Sequence, residues 1–144
     1  MKLEFGENFN ADLYGLSTVV HNGEWGKEGV QIMNKMWEQV KSRHLGNKGI
    51  NIWVYEQGNR LFTGVELTAP PPPDAGLEAK QVRIARYVKY KHIGPYEKIR
   101  ESCEKLAAEF QSKGIKAVWP YVEVYGHWSP DPSKLETDLL WTLG

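Results

Sequence analysis

Residues 121–125 alternate in side-chain type with the two-residue period of a β-strand. Val122 and Val124 fall on one face of this run, and the other face places one carboxylate between two phenols. These three residues are Tyr121, Glu123 and Tyr125. We predict that the aliphatic face packs in the core and that the other face suits a flat cation, because aromatic faces and a desolvated carboxylate both attract positive charge. The competing interpretation is a solvated face on which Glu123 is an ordinary surface acid.

Residues 51–55 alternate in the same sense. Ile52 and Val54 share one face, and Trp53 and Tyr55 share the opposite face. This pattern predicts a second strand with an aliphatic face in the core and an aromatic face directed elsewhere.

Two longer segments have the spacing of amphipathic helices. The first apolar stripe comprises Val30, Met33, Trp37, Val40 and either His44 or Leu45, and the second comprises Ile99, Cys103, Leu106, Ala107 and Phe110. Gly46 and Gly49 end the first predicted helix, and Gly114 ends the second. Pro95 suits the first turn of the second helix, where the amide that proline lacks would be unpaired.

The chain repeats one order of elements. Residues 21–25 (His-Asn-Gly-Glu-Trp) recur as residues 92–96 (His-Ile-Gly-Pro-Tyr), each time between a strand-like run and a helical pattern. We predict one domain over residues 1–144, with repeat one at about 10–68, a stiff proline-rich linker at 69–76 and repeat two at about 80–144. The expected fold is α+β: a tandem, pseudo-two-fold repeat of strand-helix-strand-strand, with an antiparallel sheet, both helices on one side and a cleft between the repeats. In that arrangement Trp53 and Glu123 approach each other across the cleft.

Composition limits the classes of partner. The 144 residues carry 18 basic and 18 acidic side chains, so no net field draws the chain to nucleic acid or to an anionic membrane. The single cysteine excludes an internal disulfide and, with no signal-like or membrane-spanning stretch, favours a cytoplasmic protein. The four histidines are scattered without metal-ligand spacing, and no phosphate loop stands out, so we expect neither a metal nor a cofactor.

Several motifs together resemble a known family. They are residues 32–38 in the first helix, the His-Ile-Gly-Pro-Tyr step at 92–96, Trp119-Pro120 leading into Glu123-Val124-Tyr125, and Thr137-Asp138-Leu139. In this combination the chain resembles the gyrase-inhibitor-like, or effector-binding, domains of bacterial regulators, which also occur at the C-termini of AraC-type and MerR-type multidrug regulators. The resemblance implies the tandem fold, a ligand cleft between the repeats and, at the position of Glu123, a buried acid that binds cationic aromatic drugs. The chain departs from the family at Trp141-Thr142-Leu143, where Pro-Val is common, and it lacks a preceding helix-turn-helix segment, which predicts a stand-alone binder.

We therefore expect a small-molecule-binding protein that senses or sequesters a drug or effector. The predicted ligand-binding residues, with Glu123 as the counter-ion, are Glu123, Tyr121, Tyr125, Trp53, Tyr55, Trp25, Tyr96, Met33 and Trp37. Met33 and Trp37 share the apolar stripe of the first helix, so core packing is an equally good interpretation of both.

Two alternatives use other chemistry. Some relatives of the family hydrolyse cyclopropane-bearing genotoxins, and in such an enzyme Glu123 would be the general base on water while the tyrosines polarise the electrophile. The other alternative is a transient protein partner, as in inhibition of DNA gyrase by a small domain. For that role a charged or apolar patch is expected, and the balanced composition shows neither.

Overall fold

The computed structural model describes all residues, 1–144, as two α-helices and six β-strands. In chain order the elements are β1 (Glu4–Val19), α1 (Trp25–Ser42), β2 (Ile52–Glu56), β3 (Arg60–Val65), β4 (Glu78–Ile93), α2 (Ile99–Lys113), β5 (Ala117–Tyr125) and β6 (Glu136–Leu143). The two helices and the antiparallel sheet confirm the predicted α+β class. No helix is both long enough and apolar enough to cross a membrane.

All six strands join in one closed antiparallel sheet with the order β1-β3-β2-β5-β6-β4. The two halves of the chain meet at two seams. At one seam β1 pairs with β4 along most of its length, and at the other β2 pairs with β5. The sheet is therefore continuous between the two halves of the chain. The paired strands β2 and β5 come from different halves of the sequence.

The first strand is longer than the pattern predicts. The run of strand-forming residues begins at Tyr14, whereas β1 begins at Glu4. The segment before Tyr14 pairs with β4, for example Phe9 with Ile84 and Ala11 with Val82. Hydrogen bonds from partners 67 to 85 residues away in the sequence hold this segment extended, so its own side-chain pattern gives little sign of it.

The first helix is rotated relative to the predicted stripe. Val30 is 44% exposed, whereas Met36 is fully buried together with Gly29 and Val40. The helix packs on β1 and β3, and Gly29 faces the six-membered ring of Trp53. Only a residue without a side chain fits at this contact, so a glycine that adds nothing to the hydrophobic pattern marks the buried face.

The second helix follows a single 3-10 turn at Tyr96–Lys98, which Pro95 precedes, and it ends at Gly114 in the left-handed conformation (φ 67°). Ile99, Leu106 and Phe110 are buried as predicted, but Ala107 is exposed. The proline-rich segment lies outside the sheet and contains one 3-10 turn, Pro73–Ala75.

The two faces of the paired strands β2 and β5 pack in different clusters. The aliphatic face joins a cluster of nine buried residues that includes Ile52, Val54, Phe62 and Val122. The opposite face packs against both helices, because Trp53 shares a cluster with residues of α1 while Tyr125 contacts that cluster and also the one formed with α2. The face that carries the carboxylate is therefore covered by the helices.

Candidate functional site

The site forms where β2 and β5 pair. In the register of this pair Trp53 lies opposite Glu123 and Tyr55 lies opposite Tyr121. Directly paired residues of an antiparallel sheet point to the same face. Trp53 and Glu123 thus meet as neighbours within one sheet, and Tyr125, two residues beyond Glu123, joins the same row on β5.

Three tyrosine hydroxyls donate hydrogen bonds to the carboxylate of Glu123. Tyr125 Oη lies 2.5 Å and Tyr55 Oη 2.8 Å from Oε1, and Tyr121 Oη lies 2.6 Å from Oε2. Two of these phenols come from residues i−2 and i+2 on the same strand, whereas Tyr55 is 68 positions away in the sequence. We call Glu123 with Tyr55, Tyr121 and Tyr125 the carboxylate cage.

The cage holds an anion without a cation. Glu123 is only 4% exposed, and none of the ion pairs in the structure includes it. Its partners are neutral, because burial first and the Glu123 charge second raise the pKa of Tyr55, Tyr121 and Tyr125 well above the usual value. Phenols that keep their protons remain donors, so hydrogen bonds alone stabilise the buried charge.

Two further aromatic rings flank the cage at the starts of the helices. Trp25, the first residue of α1, packs on Tyr55 with 5.2 Å between ring centroids, and Tyr96, in the turn before α2, meets Tyr125 edge-on at 5.4 Å. Tyr96 is 38% exposed and Trp25 is partly exposed. These rings stand between the cage and solvent.

Met33 and Trp37 differ in their distance from the cage. Met33 packs against the cluster of Trp53 and Leu61, beside the cage, and also against the cluster of Met36, Val40 and Val65, whereas Trp37 packs against the second cluster alone. The indole Nε1 of Trp37 donates to Asn51 Oδ1 at 2.7 Å. Of the nine predicted ligand-binding residues, Trp37 is the one that the fold places away from the carboxylate cage.

Trp141 and Cys103 also contact the cage, although nothing in the local sequence singles them out as site residues. The ring of Trp141 stacks on Tyr121 with 4.3 Å between centroids, and the Cys103 Sγ lies 3.5 Å from Tyr121 Oη. Trp141 is the β6 partner of Tyr121 in the sheet. The alternation of β6 would have indicated its face, but only the register shows which residue it meets.

His92 holds the turn that carries Tyr96. This histidine is buried, its Nε2 donates to the carbonyl oxygen of Pro95 at 3.0 Å, and its Nδ1 accepts from Ser102 Oγ at 2.8 Å. Because the carbonyl can only accept, the imidazole has its proton on Nε2. His92 is thus a structural hydrogen-bonding residue at the turn rather than a member of the cage.

Neither of the two main cavities is lined by Glu123. One, of about 330 Å3, lies beside α2, and the other, of about 170 Å3, is lined by residues of β1, β3 and β4 that include Ser17, Arg60 and Glu78. Glu123 itself is only 4% exposed and is enclosed by the three phenols that bond it. A ligand that contacts the carboxylate must therefore move at least one ring.

No family model matches the sequence, and no curated protein matches it. Solved structures do match over nearly the whole chain. SAV2435 bound to tetraphenylphosphonium is 13% identical, with a TM-score of 0.67 and coverage of 100% of this chain and 94% of that chain. The C-terminal domain of EcmrR is 13% identical, with a TM-score of 0.78 and coverage of 99% and 97%.

A hydrolase from Listeria innocua is also similar, at 12% identity, with a TM-score of 0.54 and coverage of 99% of this chain and 91% of that chain. At this level of identity these likenesses concern the fold. The chain therefore has the fold of SAV2435 and of the EcmrR C-terminal domain, which is the fold implied by its resemblance to gyrase-inhibitor-like effector-binding domains.

Proposed function

We propose that the protein binds small cationic aromatic molecules, with Glu123 as the counter-ion. The observation that carries this proposal is a buried carboxylate whose only partners are three neutral phenols. Burying an anion is costly, and the cost is usually offset by a paired basic side chain. The chain offers none here, so a cationic ligand would supply the missing charge.

The surrounding rings suit the same ligand. Tyr55, Tyr121 and Tyr125 each have a π-face beside the hydroxyl that binds Glu123, and Trp53 lies within 5.6 Å of Tyr125, centroid to centroid. Aromatic faces attract cations, and the attraction grows when water is excluded. A delocalised organic cation would thus gain from the carboxylate and from the rings together.

Access would require the flanking rings to move. Trp25 and Tyr96 contact the cage from the starts of the two helices, and Trp25 is partly exposed while Tyr96 is exposed. A ligand that displaces either ring would reach Tyr55 or Tyr125 and, behind it, the carboxylate. The tetraphenylphosphonium bound by SAV2435, which shares this fold, is a cation with four aromatic rings and supports the choice of ligand class.

The hydrolase alternative uses the same acid as a general base. A base must offer a free lone pair to the attacking water, and three of the four lone pairs of the Glu123 carboxylate accept hydrogen bonds from phenols, which leaves one, on Oε2. No second acid or base other than the tyrosines contacts it. We therefore favour binding and use turnover as the measurement that separates the two functions.

The test compares a cation with a neutral molecule of similar shape. Tetraphenylphosphonium and neutral triphenylphosphine oxide are titrated into the protein while tryptophan fluorescence is followed. We expect Glu123→Gln to weaken the phosphonium by roughly 2 kcal/mol, about thirty-fold, and to leave the oxide within about two-fold. The matched control is Glu97→Gln, which changes the net charge equally at an exposed position.

Equal losses for both ligands would mean that Glu123 does not act through its charge, and the counter-ion role would be wrong. A loss in Glu97→Gln as large as in Glu123→Gln would point to a long-range field instead. For the enzyme alternative, catalytic amounts of protein are incubated with a cyclopropane-bearing indole and ring-opened product is followed by mass spectrometry. Several turnovers that disappear in Glu123→Gln would replace binding with hydrolysis.

A further inference from the structure

The cavity beside α2 is an opening that lies next to the cage, beyond Tyr121. It has a volume of about 330 Å3 and is bounded by α2, by the turn after it and by the adjoining ends of β5 and β6. Its lining residues are Cys103, Ala107, Phe110, Gln111, Ile115, Ala117 and Trp141. None of them is charged, and only Gln111 has a polar amide, so this opening differs from the cage in having no group that would favour an ion.

Two of the residues that line the opening are aromatic and pack against each other. The rings of Phe110 and Trp141 meet edge-to-face at 83° with 5.4 Å between centroids. Phe110 is buried, and Trp141 is held from behind by the ring of Tyr121. Two packed aromatic surfaces at an angle form a slot for a flat ring, because offset and edge-on contacts are the favoured geometries between aromatic groups.

The size of the opening limits the ligand. Small-molecule sites usually have volumes of roughly 300–1,000 Å3, so this opening is at the small end. The absence of a lining charge disfavours an ionic ligand, which would lose its water without gaining a counter-ion. Gln111 could satisfy one hydroxyl or carbonyl of the ligand.

We propose that this opening binds a neutral aromatic molecule of one or two fused rings, at a site separate from the carboxylate cage. Tyr121 forms the partition, since its ring packs on Trp141 while its hydroxyl, 3.5 Å from Cys103 Sγ, donates to Glu123. The proposal does not depend on cation binding by the cage, because the lining includes neither Glu123 nor Tyr55 nor Tyr125.

The first experiment is calorimetric titration with 2-naphthol at pH 7, where this probe is neutral. We expect saturable binding of one equivalent. Ala107→Phe places a ring in the opening and should lower the affinity about ten-fold or more. The matched control is Ala108→Phe, the same change at the next helical position, which is exposed and does not line the opening.

Glu123→Gln is included to separate the two sites, and it should bind 2-naphthol with wild-type affinity within about two-fold. Failure of the cation to bind would leave this result unchanged, so the two proposals fail independently. Equal affinities in wild type, Ala107→Phe and Ala108→Phe would show that the probe binds elsewhere. Loss of naphthol binding in Glu123→Gln would place the probe in the cage and overturn the proposal.

The second experiment uses the single cysteine of the chain as a reporter. Cys103 lines the opening, and burial raises the pKa of its thiol, so alkylation by N-ethylmaleimide is followed at pH 8.5 by mass spectrometry. Saturating 2-naphthol should slow alkylation about five-fold or more by covering the sulfur. An unchanged rate would contradict occupancy. A rate that falls with protein concentration and is insensitive to naphthol would show instead that a second copy of the chain covers the opening.

Discussion

The two faces of the paired strands β2 and β5 are made from alternate residues of the same short segments, yet their chemistry differs completely. One face contributes Ile52, Val54 and Val122 to a cluster of nine buried apolar residues. The other places Glu123 among phenols. Both faces are buried, so burial does not distinguish a core from a site. What distinguishes them is whether the buried groups are satisfied without a further partner.

The apolar face is complete in itself, because each side chain gains by leaving water and requires nothing more. The carboxylate face satisfies its hydrogen bonds but not its charge, and close beside it the buried Trp53 Nε1 lacks an acceptor. A face with a buried charge that has no counter-ion and a buried donor that has no acceptor can be stabilised by a ligand that supplies these partners. Three experiments test this difference, from the largest expected effect to the smallest.

Phe62→Ala should damage stability alone. Phe62 is buried in the apolar cluster, and truncating such a ring typically costs about 3–5 kcal/mol of the free energy of unfolding. Urea unfolding measures this loss, and the exposed Phe5→Ala serves as the matched control, with an expected change within about 0.5 kcal/mol. Affinity for tetraphenylphosphonium in the folded variant should stay within about two-fold. A large loss of affinity would show that the apolar face shapes the site after all.

High pH should destabilise the protein through the carboxylate face. The pKa of Tyr125 is raised by burial and then by Glu123, whereas an unfolded tyrosine loses its proton near pH 10. Above about pH 10 the unfolded state therefore binds fewer protons than the folded state, and the free energy of unfolding falls as pH rises. This stabilising contribution is complete below that pH.

Well above pH 10 each such tyrosine adds about 1.4 kcal/mol per pH unit to the decline. Between pH 10 and 11, where the unfolded tyrosine is still partly protonated, Tyr125→Phe should reduce the decline by about 1 kcal/mol in urea unfolding. Ile52→Val, on the apolar face, should lower the free energy by about 1 kcal/mol at every pH and leave the slope unchanged. Identical slopes in wild type and Tyr125→Phe would mean that Tyr125 ionises in the folded protein.

Two glycines of α1 test the smallest effect. A Cβ on Gly29 would collide with the ring of Trp53, so Gly29→Ala should cost about 1–2 kcal/mol of stability and displace the ring beside the cage. Gly26 has no neighbour within 4 Å of such a Cβ, and Gly26→Ala should stabilise the helix by about 0.5–1 kcal/mol. Thermal unfolding measures both. Stabilisation by both changes would show that α1 does not rest closely on Trp53.

Part of this arrangement was predictable because it depends on residues close together in the sequence. The alternation at 51–55 and 121–125 assigns each side chain to a face. Both helices lie within a few residues of the predicted positions. Once residues 121–125 form a strand, Tyr121 and Tyr125 necessarily share the face of Glu123 and lie on either side of it. The resemblance of residues 92–96 and 119–125 to effector-binding domains implied the fold that the solved structures share.

Other features depended on which distant segments meet. The apolar spacing of α1 pointed to Val30, but the approach of Gly29 to Trp53 turned Met36 inward instead. Trp53 and Glu123 were expected to approach across a cleft, and strand pairing made them neighbours in the sheet. Ala107 was expected on the buried stripe of the second helix, and the structure places it exposed at the opening beside α2.

The sequence by itself determined the faces of the strands, since the direction of a side chain follows from the two-residue period of an extended backbone. Only the tertiary structure decided the third hydrogen bond of the cage, from Tyr55 to Glu123, because it requires the register between strands 68 residues apart. Register is fixed by packing of both faces at once, and shifting it by one residue would turn Tyr55 away from the carboxylate, whereas Tyr121 and Tyr125 share a strand with Glu123 and would stay on its face. A local pattern therefore supplied the chemical groups, and long-range pairing brought them to one point.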